Sequence, residues 1–331
     1  MHLVIPFANA TSPAAAHALG TLQLPVLEQL LGHMAVSHSD EGDDYLLSPP
    51  HERVLAALQS WPAEDGLLPV AAALAAADGL KPQAGEGWAL LSPTHWHVGT
   101  EQISLTDPAG LGLDDDTSRA LFTALQPLFE DPDSAAGWQL HWGSATRWYA
   151  SHPSLAQLPS ASLDRVVGRN VDLWLNDHPA MRPELRPQLR LLRRLQAEAQ
   201  MLLHTHPVNE AREAAGQLPV NSFWLSGTGA ALSAGTAAAA KNTTGFTLDD
   251  RLRAPALAED WAAWAEAWAA LDAGPLADLL AALQAGAAPG SVQLTLCGER
   301  HARTLAGQAL PWWRKLLGAG RTPAAAWLTA L

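Results

Sequence analysis

The segment 204–229 constrains the fold most, because it places polar side chains among residues that the pattern predicts to be buried. Asn209, Arg212 and Asn221 stand close to bulky apolar side chains, namely Leu202, Leu203, Phe223 and Trp224. A buried amide or guanidinium group that lacks a hydrogen-bond partner costs about 1–3 kcal/mol. We therefore predict that Arg212 and Asn221 tie a helix to the strand that follows it. The alternative is that they contact an anion or another ligand.

Short apolar runs, typical of strands, alternate along the chain with segments in which apolar residues recur at helical spacing. This alternation indicates an α/β fold. Strands are predicted where apolar residues are bounded by turn residues, at 3–5, 88–91, 95–98, 102–105, 138–142, 147–149, 220–225 and 293–297. Helices are predicted at 25–34, 52–59, 68–77, 114–129, 183–203 and 256–271. Residues 37–50 are polar and acidic and end in prolines, so we predict an exposed loop there.

The chain is acidic, with 20 basic and 33 acidic side chains among 331 residues and a formal net charge of −13. This charge argues against sequence-independent nucleic-acid binding and against an anionic membrane surface. The Ala-rich runs stop short of the roughly 20 apolar residues of a membrane span, and the first residues do not resemble a signal peptide. The single cysteine, Cys297, excludes an internal disulfide framework, so we predict a cytoplasmic protein.

The predicted helix 183–203 carries the most concentrated positive charge of the chain. Leucines recur at helical spacing on one side, whereas the other faces carry Arg182, Arg186, Arg190, Arg193 and Arg194. Such a run of charge is usually a solvated helix face. In a chain this acidic, the same patch could instead attract an anion, and both interpretations stay open.

Two His-x-His pairs are candidate metal ligands, namely His95 with His97 and His204 with His206. On a strand, residues two apart share a face, so each pair could offer two imidazoles to one metal ion. The chain has 13 histidines, however, and such pairs are also expected by chance. Cys297 follows an apolar run and is predicted to be a buried thiol.

The run Ser226-Gly227-Thr228-Gly229 follows a predicted strand and is similar to a phosphate-binding loop, because glycines let backbone amides approach an anion. It lacks the full G-x-G-x-x-G spacing and has no P-loop lysine after it. The alternative is a tight turn that leaves a buried strand.

The same segment contains the spaced pattern H-P-x-N-x-x-R-x-x-x-G-x-x-P-x-N-x-x-W-x-x-G-x-G. Its positions are His206, Pro207, Asn209, Arg212, Gly216, Pro219, Asn221, Trp224, Gly227 and Gly229. The pattern resembles the RpfE-type bacterial regulatory proteins, a family often described as cofactor-independent phosphoglycerate mutases. It is also similar to a stretch of the archaeal-type phosphoglycerate mutases of the alkaline phosphatase superfamily. The resemblance to the RpfE-type proteins extends to 95–108, to the helix ending near Phe129 and to 147–149. These relatives carry a second Trp where this chain has Ser226.

The resemblance implies an alkaline-phosphatase-like α/β fold, in which helices flank a central, mostly parallel sheet and an α+β subdomain is inserted. We therefore predict that residues 1–87 form the N-terminal part of the α/β core and residues 88–150 the α+β subdomain. Residues 151–331 would then form the remainder of the core, including the motif from His206 to Gly229.

The resemblance also implies what catalysis would need. The mutase superfamily places an Asp just after the first strand, a Ser or Thr nucleophile further on, and Asp and His ligands that hold two divalent ions. Here the first acidic residue after the first predicted strand is Glu28, and the only histidine after His206 is His301. A two-metal site needs several such ligands that converge. We therefore predict a non-catalytic regulatory or ligand-binding protein, a pseudoenzyme without a metal cofactor.

The alternative is a metal-dependent phosphomutase or phosphatase of the phosphoglycerate mutase type, with Mn or Zn as cofactor. Its metal-ligand candidates are His95, His97, His204 and His206. The expected partner is a small anionic ligand or a protein, and neither nucleic acid nor a membrane. The candidate ligand contacts are His206, Asn209, Arg212, Asn221, Trp224, Gly227 and Gly229.

Overall fold

The computed structural model describes residues 1–62, 64–99, 102–130, 137–175, 183–233, 245–308 and 322–331. The chain forms two compact units. The first comprises residues 1–44, 49–58 and 241–331, and the second comprises 45–48 and 59–240. These boundaries differ from the predicted ones at 88 and 151, because the strand that carries Trp224 pairs with the strand that carries Trp88 inside the second unit.

The predicted strands and helices all have counterparts in the structure. The strands are β1 (His2–Ile5), β2 (Met34–Asp40), β3 (Gly87–Thr94), β4 (Trp96–Val98), β5 (Ile103–Leu105), β6 (Gln139–Ser144), β7 (Arg147–Ser151), β8 (Ser222–Ala230), β9 (Thr247–Leu248), β10 (Gln293–Cys297) and β11 (Ala302–Gly307). The helices are α1 (Pro13–Thr21), α2 (Pro25–His33), α3 (Pro50–Leu58), α4 (Val70–Ala77), α5 (Asp115–Glu130), α6 (Leu163–Val166), α7 (Asp172–Leu175), α8 (Arg186–His204), α9 (Pro207–Ala214), α10 (Arg253–Leu257), α11 (Trp261–Ala273), α12 (Pro275–Gln284) and α13 (Ala324–Leu328). Within the described ranges, none of the helices has the length and apolar character needed to cross a membrane.

The first unit is built on a five-stranded sheet of order β2-β11-β10-β1-β9. β1 runs parallel to β9 and β10, whereas β11 is antiparallel to both of its neighbours. The sheet is therefore mixed, and the prediction of a mostly parallel sheet is wrong for the described strands. β10 and β11 are joined by residues 298–301 alone, and so short a connection makes neighbouring strands antiparallel.

β2 forms one edge of this sheet, where the sequence predicts a loop from residue 37 onward. Residues 38–40 of β2 pair with residues 302–304 of β11. The loop prediction is therefore wrong for 37–40. Most side chains of β2 are exposed, so the strand lacks the apolar alternation by which a half-buried strand is identified.

The core of the first unit contains two tryptophans of the predicted helix 256–271. Trp264 and Trp268 on α11 are fully buried and belong to one apolar cluster with Leu27 and Leu30 of α2. The predicted helix 256–271 is interrupted between α10 and α11, where Glu259 has a φ of +53°. Cys297 is fully buried, as predicted, and burial raises the pKa of its thiol.

The second unit contains an antiparallel sheet of order β6-β7-β3-β8 and a separate hairpin of β4 and β5. Helices α5 and α8 pack on one face of the sheet, where Phe129, Leu195 and Phe223 are buried together. Helix α4 packs on the other face, against Trp88 and Tyr149. The candidate site lies at the C-terminal end of α8, on the face of the sheet where α5 and α8 pack.

Helix α8 follows from its pattern. Leu195, Ala199 and Leu203 recur every four residues and are buried, and Pro187 occupies the first turn, where its missing N–H costs nothing. The predicted charged faces are exposed at Arg186, Arg190, Arg193 and Arg194. Arg182 lies outside the described residues.

Candidate functional site

Asn209 joins the end of α8 to Val220, two residues before β8. It lies on α9 and is 2% exposed. Its Nδ2 donates to the carbonyl oxygens of Leu203, at 2.9 Å, and Val220, at 2.7 Å, and its Oδ1 accepts the Val220 amide at 2.9 Å. Backbone groups therefore satisfy both ends of this buried amide. Asn209 makes the link between helix and strand that the sequence analysis assigned to Arg212 and Asn221.

Arg212 lies one turn further along α9 and is 5% exposed. Its Nε donates to the carbonyl oxygen of Leu218 at 2.9 Å, and its Nη2 donates to that of Leu111 at 2.6 Å. Burial lowers the pKa of the guanidinium, an effect that the charge of Asp114 opposes. Arg212 thus holds the loop after α9 against the short 3-10 helix Pro108–Leu111.

Asn221 completes the junction between β3 and β4. Its backbone amide donates to the Thr94 carbonyl at 3.2 Å. Its side-chain Oδ1 accepts the amide of Trp96 at 2.7 Å, and its Nδ2 donates to the Trp96 carbonyl at 2.9 Å. This exchange imitates the bonding between two paired strand residues. Trp224 donates its indole N–H to the carbonyl of Ala161 at 2.9 Å and packs against Trp96.

His206 directly precedes α9 as its N-cap residue. Its Nδ1 accepts a hydrogen bond from the backbone amide of Val208 at 3.3 Å. Pro207 takes the first helical position, where a proline is well tolerated. Because Nδ1 accepts in this bond, the proton of the neutral ring is on Nε2. His206 therefore orients the helix that carries Asn209 and Arg212.

Gly227 and Gly229 lie inside β8, which continues to Ala230 and bulges at residues 227–228 against β3. Their φ angles are +62° and +154°. A Cβ atom on Gly227 would lie 3.1 Å from the amide nitrogen of Ala71, and one on Gly229 would lie 2.9 Å from the carbonyl oxygen of Leu67. The chain at 67–71 thus packs directly against both glycines. The segment forms part of β8, so the alternative interpretation, a tight turn that leaves the strand, is wrong.

A groove of about 630 Å³ opens beside these residues in the second unit. Its polar lining consists of His95, Gln200, His204, Asn209, Glu213 and Asn221. Its apolar lining consists of Val98, Ala197, Met201, Leu203 and Pro219. Val98 and Met201 are 70% and 78% exposed, which is unusual for such side chains. The volume lies within the range of small-molecule sites, about 300–1,000 Å³.

The groove brings together only some of the predicted site residues. His95, His204, Asn209 and Asn221 line it, one histidine from each His-x-His pair. His97, His206, Arg212, Gly227 and Gly229 are not part of its lining. Trp224 lines a separate cavity of about 30 Å³, which is the size of a single water molecule.

His95 is held in one tautomer by the backbone. Its Nδ1 lies 2.8 Å from the carbonyl oxygen of Pro219, so Nδ1 carries the proton of that bond, and in the neutral ring Nε2 has the lone pair. The ring of His97 is exposed, with its centroid 6.4 Å from that of His95. Across the described ranges, no three side chains of His, Cys, Asp or Glu come together in a way that could hold a metal ion.

A polar cluster that the sequence did not predict lies on the α4 side of the antiparallel sheet. Asp78 accepts hydrogen bonds from Arg147 Nη2, at 2.6 Å, from Arg147 Nε, at 2.9 Å, and from the Tyr149 hydroxyl, at 2.6 Å. The bond from Arg147 lowers the pKa of Asp78, and burial raises the pKa of Tyr149. The only signal was the resemblance over 147–149, because Asp78 ends an Ala-rich helix without a motif of its own.

No protein-family model matches the chain, and no curated protein matches it. Solved structures are similar to it at low identity. The structure of the PH0037 protein from Pyrococcus horikoshii is 10% identical, with 93% of this chain and 87% of that chain covered and a TM-score of 0.45. The cofactor-independent phosphoglycerate mutase from Thermoplasma acidophilum DSM 1728 is 12% identical, with 98% and 94% covered and a TM-score of 0.34.

Proposed function

We propose that this chain is a mutase-like scaffold that works without catalysis, as a regulatory or ligand-binding protein, and that the groove is its binding site. The observation that carries the proposal is the hydrogen bonding of the motif. Asn209, Arg212 and Asn221 direct their side chains at backbone atoms. Asn209 and Asn221 line the groove, whereas Arg212 lies outside its lining, and contact with the bound molecule falls to His95 and His204.

The sequence motif supports the finer part of this proposal. The spaced motif from His206 to Gly229 resembles that of the RpfE-type proteins and the archaeal-type mutases. From this resemblance we propose that the protein is bacterial and has an alkaline-phosphatase-like core. The chain has no acidic residue between its first strand and Glu28, where that superfamily has a metal-binding Asp. On this proposal the protein is a cytoplasmic pseudoenzyme that binds an anionic ligand or a protein.

A second candidate function is a phosphomutase or phosphatase that depends on Mn or Zn. The observation that favours it is the orientation of His95, since metal-bound histidines usually donate their second ring N–H to a carbonyl or carboxylate. His204 and Glu213 line the same groove and would supply further ligands. They would have to move toward His95, because no three such groups are poised for a metal within the described residues.

Turnover of phosphoglycerate distinguishes the two functions. We expect the purified protein, supplied with Mn²⁺ or Zn²⁺, to leave 3-phosphoglycerate unchanged in a phosphorus NMR assay, as a buffer blank does. Conversion to 2-phosphoglycerate that is lost in a folded His95→Ala variant would establish the second function and overturn the first. His38→Ala is the matched control, because His38 is an exposed histidine on β2, in the other unit.

A further inference from the structure

One face of α8 extends the groove toward the start of the helix. Along this face, exposed residues follow one another at a spacing of three or four, namely Arg186, Arg190, Arg193, Ala197, Met201 and His204. Residues at this spacing form a continuous stripe on one side of a helix. We call it the arginine stripe. It lies opposite the buried residues Leu195 and Ala199.

The two ends of the arginine stripe differ in chemistry. At the C-terminal end, Ala197, Met201 and His204 line the groove, across which Val98 is also exposed. Exposed apolar side chains beside a concave surface mark an interaction site more often than isolated ones do. At the N-terminal end the stripe is cationic, so a molecule that covers both ends needs an apolar part and an anionic part.

The cationic end is unusual for this chain. Residues 186–194 contain four arginines and no acidic residue, in a chain of net charge −13. Arg194 pairs with Glu198 at 2.7 Å, whereas no carboxylate within the described ranges pairs with Arg186 or Arg190. Glu213 lies in the lining of the groove and would repel an anion there. The charges therefore orient an acidic partner, with its anionic part toward Arg186 and its apolar part in the groove.

We infer that the groove and the arginine stripe bind one segment of a partner protein, in which bulky apolar residues stand beside a run of acidic residues. This inference rests on the proposed function, because it names the partner class for the same groove. A membrane or a nucleic acid presents negative charge over a wide area, which the acidic chain as a whole repels. A short segment, in contrast, contacts only the groove and the arginine stripe and avoids the rest of the acidic surface.

The geometry sets the spacing within that segment. At 1.5 Å per residue, Arg193 lies about 12 Å and Arg186 about 22 Å from Met201 along the helix axis. An extended chain advances about 3.3 Å per residue. Acidic side chains are therefore needed about four to seven positions from the apolar anchor, in a segment of roughly ten residues.

Fluorescence anisotropy with the full chain tests the inference. The probe is a labelled synthetic peptide with a Trp-Leu pair, a short serine spacer and a run of glutamates. We expect it to bind more tightly than two control peptides, one with lysines for the glutamates and one with serines for the Trp-Leu pair. Binding should weaken as salt rises through about 0.1 M, where the screening length is about 10 Å.

Charge-matched variants locate the binding surface. Arg190→Glu should raise the Kd of the acidic peptide about fivefold, because it turns an attraction into a repulsion. Lys81→Glu makes the same change of charge at another exposed position of the second unit and should leave the Kd unchanged. Met201→Ser should also weaken binding. Unchanged melting temperatures establish that the variants are folded.

Three results would overturn the inference: an acidic peptide that binds no better than its controls, equal effects of Arg190→Glu and Lys81→Glu, or binding of phosphatidylserine vesicles or a single-stranded oligonucleotide in place of the peptide. Phosphoglycerate turnover is measured separately. Turnover together with peptide binding would refute the proposed function alone, whereas loss of peptide binding without turnover would refute this inference alone.

Discussion

Single polar residues decide how the segment 204–229 is built. Asn209 and Arg212 are almost completely buried, and each would destabilise the fold if its side chain lacked partners. The structure satisfies both with backbone groups at the ends of elements, where carbonyls and amides have no partner in a helix or a sheet. Side chains that bond to the backbone in this way fix loops and helix ends. They have few hydrogen-bonding groups left for a bound ligand.

Arg212→Ala should lower the melting temperature, because it removes the donor to the carbonyls of Leu111 and Leu218. A loss of about 2 kcal/mol is expected for hydrogen bonds from a charged group, and each kcal/mol corresponds to about 2–4 °C in a domain of this size. Glu213→Ala, at the next and exposed position of α9, should change little. An unchanged melting temperature with lost binding of the acidic peptide would instead make Arg212 a ligand contact.

The sequence predicts that these polar residues are buried and bonded, because their neighbours are apolar. It could not predict their partners. Arg212 bonds to a carbonyl 101 residues away, and Asn221 bonds to Trp96, 125 residues away. Such pairings depend on how distant turns meet in the folded unit. In the same way, the two His-x-His pairs were visible, but the meeting of His95 and His204 in one groove was not.

At the scale of elements, β8 shows how backbone contact explains a glycine pattern. The bulge at 227–228 and the close approach of residues 67–71 require positions without a side chain. The sequence pattern correctly predicts a strand before these glycines. It did not indicate that the strand continues through them, because glycine in a strand and glycine in a loop look alike in sequence.

Gly229→Ala should destabilise the second unit, because the new Cβ would lie 2.9 Å from the Leu67 carbonyl oxygen and the residue would keep a positive φ. Strain of this kind costs about 1–3 kcal/mol. Gly110→Ala is the matched control, since its Cβ would find its nearest neighbour at 3.9 Å. Urea unfolding measures both. Equal stability of Gly229→Ala and the unchanged chain would contradict the close packing of β8 on residues 67–71.

The antiparallel sheet should lose stability in mild acid through His141 on β6. Burial against Trp88 lowers the pKa of His141 below 6.5, so protons bind the unfolded chain more readily. The stability contributed by the neutral, buried ring is present above about pH 6.5 and is lost as pH falls through the lowered pKa. Between about pH 7 and pH 5, the free energy of unfolding measured by urea titration should therefore fall less in the His141→Gln variant than in the unchanged chain. In the exposed-site variant His38→Gln this free energy should fall with pH as steeply as in the unchanged chain, and an equally steep fall in His141→Gln would contradict the account.

For the whole molecule, the sequence patterns predict which segments are helices and strands better than how the strands are arranged. Apolar runs mark the buried strands, but β2 is exposed and carries no such mark. Strand direction depends on connections, and the short link between β10 and β11 makes the first sheet mixed. The unit boundaries depend on which strands pair, so β8 joins the second unit although the sequence analysis placed it in the core.

The central claim, that the motif supports a binding scaffold and not a metal-dependent enzyme, can be tested directly on the purified protein. The measurement is metal content by elemental analysis, paired with the melting temperature before and after EDTA. We expect far less than one Mn or Zn per chain and no shift of the melting temperature, because the motif is held together by hydrogen bonds to backbone atoms. Stoichiometric metal, removed by EDTA with a large fall in melting temperature, would contradict the account.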